Sequence, residues 1–185
     1  MTSPPDKHLI DTNVLLVASA ADNGSPFPPD ATPVNESELR DIVLSWLREF
    51  QISGRRMILD FEWKIVAEYR GDNRRLKLTE QDYGMQVVLH KHSTGQLDYV
   101  QLTWDHNNDA VIPHAALQAI VHDTADRKMV AAVLAAGGSS NGCNLINACD
   151  TDWYDWEEAL VSAGIHVHQL IGEEWCRPRW ELKHK

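Results

Sequence analysis

Lys7-His8-Leu9-Ile10-Asp11-Thr12-Asn13-Val14-Leu15-Leu16 is the stretch whose reading decides the fold. The apolar pair Leu9-Ile10 has room for one short strand, which Asp11 ends. The run from Val14 through Val17 and on to Ala18-Ser19-Ala20-Ala21 suits a helix. A strand, a carboxylate and a helix in that order put Asp11 at a strand's carboxyl end, where open α/β sheets bind their ligands. Thr12 or Asn13 is suited to cap the helix. Taken alone, Asp11 reads equally well as a cap at a strand-to-helix turn. Carboxylates at equivalent places further along the chain decide between the two.

Working outward, Asp22 to Pro33 holds four prolines and reads as an exposed loop. Asn35-Glu36-Ser37-Glu38 is a capping signature for a second helix, with Leu39, Ile42, Val43, Trp46, Leu47 and Phe50 at helical spacing as core. Gly54-Arg55-Arg56 ends that helix, and Met57-Ile58-Leu59 is a buried strand closing on Asp60. Phe61 to Arg70 is expected to be helical, with Phe61, Ile65, Val66 and Tyr69 inward and Glu68 beside that stripe. An ion pair with Lys64 is the plain role for Glu68. Arg70, Arg74, Arg75 and Lys77 make a local basic cluster.

A further helix is expected from Thr79 to His92, a short edge strand at Tyr99–Thr103, and a loop at Asp105–Asp109. Val121 to Gly138 reads as a helix with an acidic first turn, Asp123 and Asp126, and a glycine stop. One of those two would suffice to complement the helix dipole. The strand at Cys143–Ala148 ends in Asp150 and Asp152, a helix follows through Trp156–Leu160, and Gly164–Ile171 is a last strand. Residues 1–171 therefore read as one domain and 172–185 as a C-terminal tail with exposed Trp175 and Trp180. Strands alternating with helices imply an α/β fold with a central, mostly parallel sheet.

At 185 residues no disulfide or metal staple is needed for a core. Cys143, Cys149 and Cys176 are an odd number without Cys-x-x-Cys spacing, which argues against a disulfide framework and a zinc site and fits the cytoplasm. No secretory leader is expected in Met1–Asp6, and no apolar run approaches 18 residues, so no membrane span is expected. The formal net charge of -10 excludes nucleic-acid binding through the overall field. Local basic patches, bridging metal ions or a partner would have to supply it.

In a sheet of this kind Asp11, Glu68, Asp126 and Asp150 are able to converge at one rim. Carboxylates brought that close repel unless a cation shares the site. Oxygen ligands without His or Cys favour Mg²⁺ or Mn²⁺, and such ions suit phosphodiester cleavage. His90 with His92 and His166 with His168 lack a third ligand nearby in sequence.

The succession Ile10-Asp11-Thr12-Asn13-Val14-Leu15, Ile65-Val66-Ala67-Glu68-Tyr69, Asp126-Arg127-Lys128 and Asp150-Thr151-Asp152-Trp153 resembles the PIN-domain nucleases over residues 7–171. The resemblance implies a three-layer α/β/α sandwich and a Mg²⁺- or Mn²⁺-dependent endoribonuclease that leaves a 5′-phosphate and a 3′-hydroxyl. It also implies catalytic and metal-binding roles for Asp11, Glu68, Asp126 and Asp150, with Asp152 as a supporting carboxylate. Asn13 is expected to orient Asp11 through a hydrogen bond, and Asp123 competes with Asp126 for the third place. Ala148 departs from the pattern, since many relatives have Thr or Ser there.

Arg70, Arg74, Arg75, Arg127 and Lys128 are the expected phosphate contacts to the RNA. By analogy with the family, a toxin or defence nuclease restrained by an inhibitory or regulatory protein partner fits a chain of this size, and a homodimer is a further expectation. A catalytically silent PIN-like scaffold or RNA-binding subunit is the alternative, favoured by the acidic surface and disfavoured by the full set of carboxylates. A haloacid-dehalogenase-like phosphatase would want Asp where Asn13 stands.

Overall fold

A computed structural model describes residues 6–71 and 77–185. It is an α/β/α sandwich. In chain order the regular elements are β1 (Lys7–Ile10), α1 (Thr12–Ala21), α2 (Ser37–Ile52), β2 (Arg56–Asp60), α3 (Lys64–Arg70), α4 (Tyr83–Ser93) and β3 (Leu97–Val100). There follow α5 (Ala115–Ile120), α6 (Thr124–Ala135), β4 (Cys143–Asn147), α7 (Glu157–Ser162), β5 (Val167–Gln169) and α8 (Glu173–Lys183). Among the described residues the sheet runs β3-β2-β1-β4-β5, and every neighbouring pair is parallel.

Parallel neighbours require crossovers, and the helices that make them cover both faces of the sheet. Helices α1, α2 and α4 pack together on one side, while α6 lies against β1, β2 and β4. β1 is central and carries layers on both faces, so Leu9 and Ile10 are wholly buried. The chain builds outward from β1 through β2 to β3, then returns to lay β4 on β1's other side. The switch point therefore lies between β1 and β4, and the crevice beyond their carboxyl ends is where such sheets bind ligands.

Several boundaries differ from the sequence expectation, each for a visible reason. Phe61 is 60% exposed instead of inward, because α3 begins only at Lys64. Asp60 accepts hydrogen bonds from the backbone N–H groups of Glu62, Lys64 and Ile65 and so holds residues 61–63 in a turn. Ile42 is 48% exposed, since α2 turns Val43, Leu44, Leu47 and Phe50 to the core. β3 starts at Leu97, two residues earlier than expected, and ends at Val100, which pairs with Asp60, the last residue of β2. The short α5, capped by the His114 ring on the Leu117 N–H, has no counterpart in the sequence expectation.

The stretch 172–185 is not a free tail. It forms α8, with Trp175 and Cys176 buried and the Trp175 Nε1–H donating to Glu36. This corrects the expectation of an exposed Trp175. Trp180 is half-buried and donates to Asp155. Among the described residues no helix is long and apolar enough to cross a membrane.

One close approach fixes how α1 meets α4. A Cβ on Gly84 would stand 2.7 Å from both the Cβ and the carbonyl oxygen of Leu15, and the Gly84 N–H donates to the Ser19 hydroxyl at 2.9 Å. The obstacle is backbone, so the helices must move apart. Gly84→Ala is expected to cost about 2–4 kcal/mol in urea denaturation, despite alanine's better helix propensity.

Candidate metal centre

Asp11 directly follows β1 and is the cap of α1. Its N–H donates to the Ile146 carbonyl of β4, and its Oδ1 accepts the Asn13 N–H at 3.2 Å. Its Oδ2 accepts the Trp153 indole N–H at 2.7 Å. Trp153 is buried, and a buried indole N–H needs an acceptor. The carboxylate is thereby fixed in rotation at the head of the switch-point crevice.

Asp150 stands beyond β4 in a turn held from several sides. Its N–H donates to Asn147 Oδ1, its carbonyl accepts from Asn147 Nδ2, and its Oδ1 accepts the Asp152 N–H. Asn13 contributes from across the crevice, its Oδ1 accepting the N–H groups of Ala148 and Cys149 at 2.9 and 3.3 Å. The Asn13 side chain therefore ties the two switch-point loops together. Ala148 takes part through its backbone.

The two aspartates at the start of α6 divide their roles. Asp123 is the cap, accepting from the Ala125 and Asp126 N–H groups. Asp126, one turn in and buried, faces the crevice. One carboxylate oxygen each from Asp11, Asp126 and Asp150 all lie within 4.8 Å of one another. Asp11, Asn13, Asp123, Asp126, Asp150 and Asp152 line the resulting cleft of about 300 Å³.

That proximity has an electrostatic cost. Burial, then the Asp150 carboxylate, raise the pKa of Asp11 to about 7. Burial, then Asp11 and Asp150, raise that of Asp126 to about 9. Asp150 is also raised, chiefly by burial. Three carboxylates in such a space hold protons or share a cation.

The donor set fits Mg²⁺ or Mn²⁺, hard ions that take carboxylate oxygens and keep waters. A further sign is the Thr12 hydroxyl, which is buried at the same cleft and lacks a partner among the described residues. Among those residues no histidine or cysteine joins a comparable group. His90 and His92 fall on α4, where a spacing of two points them apart.

The other expected site residues have different surroundings. Glu68 on α3 is ion-paired with Lys128 on α6 at 2.9 Å and lies outside the three-oxygen group. Asp152 lines the cleft but is half-exposed and bound by Lys183 at the end of α8. Arg127 does not face solvent as a phosphate contact should. It is buried, and its Nε and Nη1 donate to the carbonyls of Ala110 and Val121, so it anchors the loop before α6. Arg70 reaches Glu80 at the surface. Arg74 and Arg75 lie outside the described residues.

Trp153 and Lys183 escaped the sequence reading. Trp153 directly follows Asp152 in sequence, yet nothing local points its indole to an acceptor 142 positions away. Trp153→Phe keeps the ring packing and removes the N–H. It is expected to weaken Mn²⁺ binding about 10- to 100-fold by calorimetry, with a far smaller effect on thermal stability. Comparison with known proteins finds no family model, no curated protein and no solved structure that matches this chain.

Proposed function

We propose that this chain is a PIN-like, Mg²⁺- or Mn²⁺-dependent endoribonuclease. The observation that carries the reading is the convergence of Asp11, Asp126 and Asp150 at the β1/β4 switch point. Asp11, Asp126 and Asp150 would hold the ion, with Asp123 and Asp152 at the cleft's edge. When bound, the ion supplies a lowered pKa for a hydrolytic water and positive charge for the phosphate. The protein's part is to fix the carboxylates before RNA arrives. Trp153 and the Asn13 N–H hold Asp11, while the Asn147 turn holds Asp150. Lys183, ion-paired with Asp152 at the cleft's edge, is a cation close to where a phosphate would enter.

The test is cleavage of tRNA, structured RNA and single-stranded DNA in Mn²⁺, Mg²⁺ or EDTA, by wild type and by Asp11→Ala. Metal-dependent cutting of RNA that Asp11→Ala abolishes is the expected result. One observation favours the second reading, a silent RNA-binding or scaffold subunit: Lys128 engages the Glu68 carboxylate. No cutting under any condition, together with no metal bound in calorimetry, would decide for it.

A further inference from the structure

β5 ends the sheet, and among the described residues no strand pairs with its outer side. The crossover that reaches it is short. α7 has six residues, and the chain then turns at Gly164, whose φ of 77° suits glycine. The Ile165 N–H closes back on the Leu160 carbonyl at 2.8 Å. Between α7, β5 and the 3-10 turn at Asp152–Trp156 lies a cavity of about 220 Å³, with Trp153, Leu160, Ile165 and Val167 among its walls. An apolar cavity of about 150 Å³ is enough to hold benzene, so this one has room for a bicyclic ring.

The polar groups of the cavity favour one kind of ligand. Tyr154 is 6% exposed, and its buried hydroxyl has no hydrogen-bond partner among the described residues. The Glu173 carboxylate and the Cys176 thiol are its polar neighbours. A buried hydroxyl left so is costly, and a donor group on a ligand would satisfy it. Glu157 and Glu173, both exposed where they line the cavity, share the one guanidinium of Arg177 at 3.5 and 3.1 Å. Two carboxylates against one cation leave this opening negative, in a chain of formal charge -10. Arg177 also lies 4.3 Å from the Tyr154 ring centre, so a cation already rests on that ring. Of the other polar lining, Gln169 accepts from Asn147 and His166 is exposed.

Trp153 belongs to this cavity and to the acidic cleft at once. Its ring walls the first, and its indole N–H holds the Asp11 carboxylate of the second at 2.7 Å. A ligand against the ring restricts the indole and, through it, the carboxylate.

We infer that the cavity behind Trp153 binds a small organic cation with an apolar, ring-sized body, and that its occupancy is felt at Asp11. The walls select the apolar body and the carboxylates select the charge. The ammonium donates to the Tyr154 hydroxyl oxygen and to Glu173. The link to Asp11 rests on the metal-dependent reading of that cleft. A ligand that holds the indole in place holds Asp11 ready for the ion, and the coupling is reciprocal.

Calorimetry at pH 7.5 in EDTA, with three probes that share one ring, tests the site: tryptamine, indole and indole-3-acetate. Tryptamine should bind about tenfold more tightly than indole and about 100-fold more tightly than indole-3-acetate. Glu173→Gln leaves one carboxylate against one guanidinium; it should remove most of the tryptamine advantage and leave indole unchanged. Tyr154→Phe should weaken tryptamine about fivefold without loss of thermal stability, since it also removes the unpaired hydroxyl. With EDTA omitted, saturating tryptamine should tighten Mn²⁺ binding about fivefold, and Mn²⁺ should tighten tryptamine by the same factor. Trp153→Phe should keep tryptamine binding and lose that coupling.

No binding of any probe, or binding that ignores the probe's charge, would overturn the site. Tryptamine binding that leaves Mn²⁺ affinity unchanged, or coupling that persists in Trp153→Phe, would overturn the link to Asp11. Coupled binding of tryptamine and Mn²⁺ without any cutting of RNA keeps the inference and removes the ribonuclease. Mn²⁺-dependent cutting with no tryptamine bound does the reverse.

Discussion

Asp126→Asn is expected to stabilise the metal-free protein while reducing RNA cleavage about 10²- to 10³-fold. The two effects share one cause. Asp126 is held in a low-dielectric cleft beside Asp11 and Asp150, and its pKa is raised to about 9. Unfolded, the same group titrates near 4. The folded state therefore binds the extra proton between those values, and the stability present below pH 4 is lost as pH rises towards 9. Asparagine has no charge to confine. At pH 8 the variant should unfold about 2–4 kcal/mol less readily in urea, with Mn²⁺ absent.

Addition of Mn²⁺ should reverse the ranking. Ligand binding to the folded state raises the wild-type melting temperature in proportion to the logarithm of free metal, and the variant, short of one charged oxygen, should shift little. Wild-type affinity should rise by about tenfold per pH unit for each proton displaced, between pH 6 and 8, because Asp11 and Asp126 must give up protons to ligate. Calorimetry in buffers of different ionisation enthalpy would count those protons. Asp11→Asn should lose cleavage as fully but gain no stability. The amide can accept from either Trp153 or the Asn13 N–H, but its NH₂ then faces the other donor. A variant of Asp126 that is no more stable than wild type in EDTA would mean that the three carboxylates do not share one confined space.

The contrast between these two aspartates marks what sequence reading reaches. The β1–Asp11–α1 order is local, and the strand, the capping role and the crevice position are all legible in ten residues. So is the acidic start of α6. Asp123 and Asp126 both satisfy the helix start, and only the docking of α6 on β1, β2 and β4 separates the cap from the buried group. Glu68 shows the same limit from the other side. Its helix and inward neighbours are readable from spacing, but its partner Lys128 comes from another helix 60 residues on. Arg127 reads as a surface cation, yet the carbonyls of Ala110 and Val121, in the chain leading into α6, hold it inside. Local pattern sets which groups face one rim; the crossovers set which of them touch.

His8, in the stretch that decides the fold, carries the largest pH-dependent stability effect expected away from the cleft. Its ring lies under α2, edge-on to Trp46 and Phe50 at 5.9 and 5.7 Å, and neither ring nitrogen has a partner among the described residues. Burial, reinforced by nearby Arg55, lowers its pKa to about 4. The unfolded chain takes up this proton near pH 6.5, and the folded chain does not until pH 4. Stability should therefore be intact above pH 6.5 and lost as pH falls through that window, reaching about 3 kcal/mol at pH 4. His8→Phe replaces two unsatisfied nitrogens with carbon in an aromatic pocket and removes the titration. Its urea midpoint should be no lower than wild type at pH 7.5 and clearly higher at pH 4.5, with the difference opening between the two. Parallel pH profiles for the two proteins would show that His8 finds a partner in solution, and that acid sensitivity arises elsewhere.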